Sequence, residues 1–197
     1  MINVPNLVTV ARVILALVTA GLIWLSADSM RWLSLFFTII VIWGDGLDGY
    51  LARKLNQCTK LGAVLDIAGD RVVEMTYWIA FAALGWLPVW IPLIFLVRGT
   101  FVDAMRAQAS ELGKTAFGEK TMMETPVGKF LVASNFSRFT YAVVKALAFC
   151  LVIAAHTTAL QSTSVPAVAL ALSYFATFFC IMRGLPVLIE GRRLLAG

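Results

Sequence analysis

Histidine and cysteine are scarce in this chain, which has one histidine and three cysteines in 197 residues. Cys58, Cys150 and Cys180 form no CxxC pair, so they indicate neither a disulfide framework nor a zinc site, and we interpret them as small apolar residues. His156 lies beside a polar stretch and is predicted to be a loop residue. The composition therefore argues against zinc chemistry and against acid–base catalysis by histidine.

Charged side chains are also sparse. They make up 14% of the chain, whereas soluble domains contain about 25%. Hydrophobic residues make up 60%, and the mean hydropathy is +0.87. These values predict an all-α integral membrane protein with a single domain over residues 1–197.

Six segments are long and apolar enough to span a bilayer, which takes about 20 residues in a helix. Helices are expected because every backbone polar group must be hydrogen-bonded within lipid. The sequence therefore predicts six transmembrane helices in one bundle. We expect the first to be retained rather than cleaved as a signal peptide, because Arg12 interrupts its start and no basic residue precedes it. The predicted spans are 7–25, 32–52, 61–84, 90–109, 130–155 and 165–188.

Lysine and arginine set the expected orientation, because cytoplasmic connections carry an excess of both. With six spans, both termini are predicted to be cytoplasmic, in the inner (plasma) membrane of a bacterium or archaeon. The net charge of +5 would then meet anionic headgroups, and no nucleic-acid partner is expected. The residues assigned to the cytoplasmic side are Arg53, Lys54, Lys60, Lys114, Lys120, Lys129, Arg192 and Arg193; Arg31 falls on the other side.

Four aspartates lie in two pairs within the second and third predicted spans, where each ionised carboxylate costs roughly 2.5–3.5 kcal/mol. Asp45 and Asp48 are three residues apart, and Asp66 and Asp70 are four apart, so each pair shares one helix face. Small residues on those faces would let the two helices approach closely. The spacing therefore predicts two facing pairs of carboxylates that need cations.

A site whose ligand atoms are all oxygens suits Mg²⁺, Mn²⁺ or Ca²⁺. Two divalent ions would balance the negative charge of four carboxylates. Two-metal sites serve displacement at phosphorus, and Arg53 is placed to hold a phosphate oxygen. Intramembrane carboxylates also mark ion paths, so a divalent-cation or proton-coupled transporter is the alternative from another class.

The run Asp45-x2-Asp48-Gly49-x2-Ala52-Arg53-x8-Gly62-x3-Asp66-x3-Asp70 resembles the signature of the CDP-alcohol phosphotransferase family. The resemblance implies a six-helix enzyme, most like phosphatidylglycerophosphate synthase, that moves a phosphatidyl group from CDP-diacylglycerol to an alcohol and releases CMP. It implies two Mg²⁺ or Mn²⁺ ions held by the four aspartates, and a homodimer among membrane lipids. Asp70 would also be the catalytic base, and the residues implied to contact the CDP moiety are Asn6, Thr9, Gly49, Arg53 and Thr59.

The acceptor is predicted to be a phosphorylated alcohol because several cations follow the aspartates. Arg98-x7-Arg106 resembles the segment that binds glycerol 3-phosphate in phosphatidylglycerophosphate synthases. Lys129, Arg138 and Lys145 are further candidates for the acceptor phosphate. Asp70-Arg71 instead resembles enzymes that use inositol phosphate, so that acceptor is the alternative.

Overall fold

The computed structural model describes residues 4–55, 59–115 and 121–196, without the side chains of residues 48, 52, 53, 60 and 194–196. The described residues form helices and no strand, which confirms the prediction of an all-α fold. The elements are α1 (Val4–Trp24), α2 (Asp28–Lys54), α3 (Lys60–Ala83), α4 (Trp90–Glu111), α5 (Pro126–Gly128), a π-helix (Lys129–Ala133), α6 (Asn135–Ala155) and α7 (Val165–Ala196).

Among the residues that the structure describes, four helices are long and apolar enough to cross a membrane: α1, α6, Asp28–Leu51 of α2 and Val165–Arg193 of α7. The chain is therefore a membrane protein. Helices α3 and α4 match two further predicted spans in position, but both carry several charged residues along their length.

Polar side chains and glycines set the helix boundaries. Thr59 caps the first turn of α3, and its Oγ1 accepts a hydrogen bond of 3.0 Å from the Gly62 N–H. Gly85 follows α3 with φ of 71°, and Gly113 follows α4 with φ of 73°. This left-handed conformation is open to glycine at little cost and commonly ends a helix.

The fifth predicted span differs most from the structure. It was expected to run unbroken over 130–155, but the chain instead forms α5, the π-helix and a break at Ser134 before α6. Ser134 has an extended backbone with ψ of 140°, and its Oγ accepts a hydrogen bond of 3.1 Å from the Ser137 N–H. The break therefore arises from a serine cap inside an apolar segment.

The chain divides into two compact units. Unit 1 comprises Met1–Val89 and Phe149–Leu170, and unit 2 comprises Trp90–Ala148 and Ala171–Gly197. In unit 1, α1 packs against α2 and α3. An aromatic core lies further along α3, where the Phe149 ring is 4.9 Å from Tyr77 and 4.8 Å from Trp78 between ring centroids. The unit 2 core contains Val102, Ala109, Met122, Met123, Val132 and Val187.

His156 lies just after α6, as predicted for a loop residue. Its ring stacks on Trp86 with 3.9 Å between centroids, and Nδ1 lies 2.8 Å from the Val152 carbonyl oxygen. Burial lowers the pKa of His156, although the Val152 carbonyl partly offsets this effect. Cys150 and Cys180 are reduced thiols, and Cys58 lies outside the described residues.

Candidate active site

Three of the four aspartates come together in unit 1. Asp45 on α2 and Asp66 and Asp70 on α3 each offer a carboxylate oxygen, and these oxygens lie within 4.8 Å of one another. Asp48 is one turn beyond Asp45 on α2, and its side chain lies outside the described residues. Two oxygens bound to one Mg²⁺ at about 2.1 Å are at most about 4.2 Å apart. A small closing movement would therefore let the three carboxylates hold one hard cation.

A buried arginine that was not predicted as a site residue joins two of these carboxylates. Arg12 on α1 donates from Nη1 to Oδ1 of Asp45 and from Nη2 to Oδ1 of Asp70. Its side chain is 4% exposed, whereas those of Asp45 and Asp70 are about half exposed. The available signal was an ionisable residue within an apolar segment, which by itself marks a functional candidate.

Glycines next to the aspartates let α1 approach this closely. A Cβ added at Gly44 would lie 3.4 Å from Cδ of Arg12. A Cβ at Gly69 would lie 2.8 Å from the Thr9 methyl carbon, closer than side chains pack. The residues that precede Asp45 and Asp70 therefore provide the space in which α1 holds Arg12.

Two of the residues assigned to the nucleotide belong to α1. Asn6 and Thr9 are buried, and Asn6 Oδ1 is 2.9 Å from the position of a Cβ on Gly62. Thr9 donates a hydrogen bond of 3.2 Å to the Pro5 carbonyl. Thr59 caps α3 and is exposed.

Gly49 lies four residues after Asp45 on α2. The side chain of Arg53 lies outside the described residues. The structure thus brings Asn6, Thr9 and Thr59 to the N-terminal part of α3.

Unit 2 holds the residues assigned to the acceptor. Arg98 is buried on α4, and its Cζ is 6.0 Å from the centroid of the Tyr141 ring. Two more cations contact that ring, Lys145 with Nζ at 4.7 Å and Arg183 with Cζ at 5.4 Å. We call Arg98, Lys145 and Arg183, together with Tyr141, the basic cluster. Cations over an aromatic face are stabilised by its quadrupole.

Three other predicted acceptor residues have separate positions in unit 2. Arg106 is partly buried two turns beyond Arg98 on α4. Lys129 begins the π-helix and is exposed, and Arg138 is exposed in the first turn of α6.

Arg183 is the second site residue that sequence reasoning missed. Its Nη1 donates to the Leu131 carbonyl at 2.7 Å and to Ser137 Oγ at 2.5 Å, and its Nη2 donates to the Val132 carbonyl at 3.3 Å. One guanidinium thereby holds the π-helix against the start of α6. A lone arginine in the apolar sixth segment was the available signal.

Glu190 holds the other end of the same segment. Its Oε2 accepts hydrogen bonds from the backbone N–H groups of Glu124 at 2.5 Å and Thr125 at 3.3 Å, and Oε1 accepts one from Thr125 Oγ1 at 2.5 Å. A Cβ on Gly128 would lie 2.5 Å from Glu190 Oε1. Glycine at 128 is therefore required for this carboxylate to reach the loop.

These features define a class: an all-helical membrane protein with a carboxylate site that suits a hard divalent cation. The chain belongs to the CDP-alcohol phosphatidyltransferase family, whose model matches residues 2–182. This match agrees with the resemblance drawn from the aspartate motif.

Several relatives are similar over part or most of the chain. The CDP-diacylglycerol--glycerol-3-phosphate 3-phosphatidyltransferase of Pseudomonas fluorescens is 31% identical over 160 residues, covering 76% of this chain and 82% of that protein. The protein of the same name from Haemophilus influenzae is 31% identical over 123 residues, covering 57% of this chain and 62% of that protein.

A Mycobacterium tuberculosis protein named "Putative cardiolipin synthase" is 41% identical over 100 residues, covering 49% of this chain and 46% of the relative. The chain thus spans about half the length of this mycobacterial relative.

Proposed function

We propose that this protein transfers a phosphatidyl group from CDP-diacylglycerol to glycerol 3-phosphate and releases CMP. The observation that carries this proposal is the convergence of the Asp45, Asp66 and Asp70 carboxylates on adjacent helices. The family match and the names of the glycerol-3-phosphate enzymes support the substrates. The family match and the names of these relatives do not favour the two alternatives, an inositol-phosphate acceptor and a transporter.

The four aspartates are proposed to hold two Mg²⁺ or Mn²⁺ ions, with Asp48 completing the set. When bound, such ions withdraw charge from phosphate oxygens and stabilise the leaving group. Gly49, Arg53 and Thr59 would bind the CDP moiety, and Asn6 and Thr9 would close over it. Because Arg53 carries a fixed charge, it would orient a phosphate through charge-assisted hydrogen bonds.

Asp70 is proposed as the base. Its carboxylate takes the proton of the acceptor hydroxyl while that oxygen attacks the β-phosphorus of CDP-diacylglycerol. A new oxygen–phosphorus bond forms, the bond from that phosphorus to the bridging oxygen breaks, and CMP leaves with the electron pair. The transfer is a direct displacement, so no phosphatidyl-enzyme should accumulate when acceptor is withheld.

The basic cluster is proposed to hold the acceptor phosphate, with Arg106, Lys129 and Arg138 contributing. Arg98, Lys145 and Arg183 gather three positive charges around one ring. An anion among them would relieve their mutual repulsion and accept charge-assisted hydrogen bonds. Serine and other acceptors without a phosphate would gain nothing from this charge.

The membrane arrangement follows from the same proposal. We propose six crossings with both termini and the active site on the cytoplasmic side of a bacterial or archaeal plasma membrane. Residues 1–197 would act as one domain, assembled as a homodimer.

An acceptor panel tests this function. Purified protein in detergent receives CDP-diacylglycerol, Mn²⁺ and, in separate reactions, glycerol 3-phosphate, inositol phosphate or phosphatidylglycerol, and CMP release is measured. Glycerol 3-phosphate should give the highest kcat/KM. If no alcohol releases CMP while the protein conducts cations in liposomes, the transferase proposal is wrong.

Phosphatidylglycerol is in the panel because of the 41% identity to the mycobacterial relative. Cardiolipin contains two phosphatidyl groups joined by glycerol, so the same displacement with phosphatidylglycerol as acceptor would produce it. A preference for phosphatidylglycerol would retain the chemistry and replace the acceptor.

A further inference from the structure

Arg12 is placed between carboxylates that the proposed function assigns to metal ions. It is the buried cation that reaches Asp45 and Asp70 in the described part of unit 1, and it binds one oxygen of each. Its stem lies against Gly44, the residue before Asp45. Three helices, α1, α2 and α3, therefore meet through one guanidinium.

The charges explain why a guanidinium is held there. Asp45, Asp66 and Asp70 bring three carboxylate oxygens within 4.8 Å, and like charges at this distance repel. Arg12 offsets part of this repulsion, and its planar fork fits two separate carboxylates in a way that a lysine ammonium cannot.

A divalent cation at the site would bring a second positive charge to the same place. It would take oxygens from the carboxylates that Arg12 now binds, and it would be repelled by a guanidinium a few ångströms away. Ion pairing by Arg12 and metal binding therefore oppose each other at Asp45 and Asp70.

We propose that Arg12 is a positioning residue: it holds Asp45 and Asp70 together in the metal-free protein and competes with the divalent cation for their oxygens. The proposal rests on the metal site of the proposed function. It predicts that Arg12 stabilises the metal-free protein while it weakens metal binding, and a purely structural arginine would not do both.

Mn²⁺ titration followed by electron paramagnetic resonance of the free ion measures the metal affinity, and thermal unfolding in EDTA measures the metal-free protein. Arg12→Gln removes the charge and keeps a polar side chain. It should lower the unfolding midpoint in EDTA and lower the Kd for Mn²⁺ at least about fivefold. Arg12→Lys keeps the charge without the fork, so its Kd should fall only about two- to threefold.

The matched control is Arg31→Gln. Arg31 is a second arginine of unit 1, partly buried, and its Nη1 donates to the His156 carbonyl rather than to a carboxylate. This variant should unfold at a lower temperature and keep the Mn²⁺ affinity of the unchanged protein.

The outcomes separate the two proposals. If the unchanged protein takes up no Mn²⁺, the metal site of the proposed function is wrong. If the unchanged protein binds Mn²⁺ and Arg12→Gln binds it equally or more weakly, only the competition is overturned. Should Arg12→Gln not fold, Arg12→Lys decides the matter, because an affinity equal to or weaker than that of the unchanged protein contradicts the competition.

Discussion

The acidic site of unit 1 and the basic cluster of unit 2 are built on opposite plans. In unit 1, one buried cation lies between exposed carboxylates, and two of those carboxylates come from a single turn of α3. In unit 2, three cations from three helices surround one aromatic ring. The carboxylate pairs of unit 1 can be predicted from local spacing, whereas the Arg12 contacts and the whole basic cluster form only after distant segments have packed.

The proposed roles follow this difference. A carboxylate site with fixed spacing suits the metal-assisted step, which does not depend on the alcohol. In a cluster assembled from separate helices, each cation can be substituted without the others. Such a cluster can therefore determine which alcohol is accepted. Variants in the two regions should therefore affect different kinetic constants.

The largest effect is expected for Asp70→Asn. An amide cannot take the proton of the acceptor hydroxyl, so turnover should fall by about a thousandfold while CDP-diacylglycerol still binds. Steady-state kinetics and nucleotide binding would be measured together. Asp28→Asn is the control, because Asp28 accepts a hydrogen bond from the Thr158 N–H outside the site. Equal loss of binding and turnover would make Asp70 chiefly a metal ligand.

A smaller effect, confined to the acceptor, is expected for Arg98→Gln. Loss of one charge-assisted hydrogen bond worth about 1.5–3 kcal/mol should raise KM for glycerol 3-phosphate by roughly 10- to 100-fold. The KM for CDP-diacylglycerol should change little. Lys114→Gln, an exposed cation of the same unit, should leave both constants unchanged. A rise confined to the donor KM would assign the basic cluster to the nucleotide.

Two glycines allow the regions to be disturbed separately. Gly69→Ala meets the Thr9 methyl at 2.8 Å, and Gly128→Ala meets Glu190 Oε1 at 2.5 Å. Each should cost about 1–3 kcal/mol of stability. Gly69→Ala should alter Mn²⁺ binding by moving α1, whereas Gly128→Ala should alter the acceptor KM by moving the π-helix.

Gly21→Ala has no atom within 4 Å of the added carbon and is the control for both variants. The measurements are thermal unfolding, Mn²⁺ titration and acceptor kinetics. If Gly69→Ala and Gly128→Ala affected both ligands equally, the two regions could not be treated as independent.

The smallest expected effect is on the pH dependence of stability and concerns His156, which belongs to neither region. Because burial lowers the pKa of His156, the unfolded chain takes up its proton more readily as pH falls below about 6.5. Stability should therefore decrease on acidification, by about 1 °C in the unfolding midpoint for this half-buried group. His156→Phe should remove this contribution in a pH series. A midpoint that fell equally in both proteins would assign the effect to other groups.

Most of the helical framework could be predicted from apolar segment length, because lipid leaves helices as the available structure. Helix α4 begins at residue 90, as predicted, and α1 and α3 each end within one residue of the predicted end of their span. Helix α7 continues to Ala196 instead of 188, because a helix can extend beyond the end of the apolar run that set the prediction. The break at Ser134 was missed because one serine cap carries little weight in an apolar run.

The site divides in the same way. Asp45, Asp66 and Asp70 could be predicted because the spacing of Asp45 from Asp48, and of Asp66 from Asp70, places each pair on one helix face. Arg12 and Arg183 could not, since their partners lie 33 to 58 and 46 to 52 residues away in the chain. Their contacts depend on tertiary packing that no local pattern encodes.

The long reach of Arg12 also has a consequence for synthesis of the chain. Its partners Asp45 and Asp70 are 33 and 58 residues downstream, so at about 5–20 residues per second the second partner follows roughly 3–12 s later. Until Asp45 has been made, α1 carries a guanidinium with neither of these partners, and an unpaired cation costs up to roughly 2.5–3.5 kcal/mol within a bilayer. We therefore expect α1 to be held in place more firmly once Asp70 has been made, because only then can both ion pairs form.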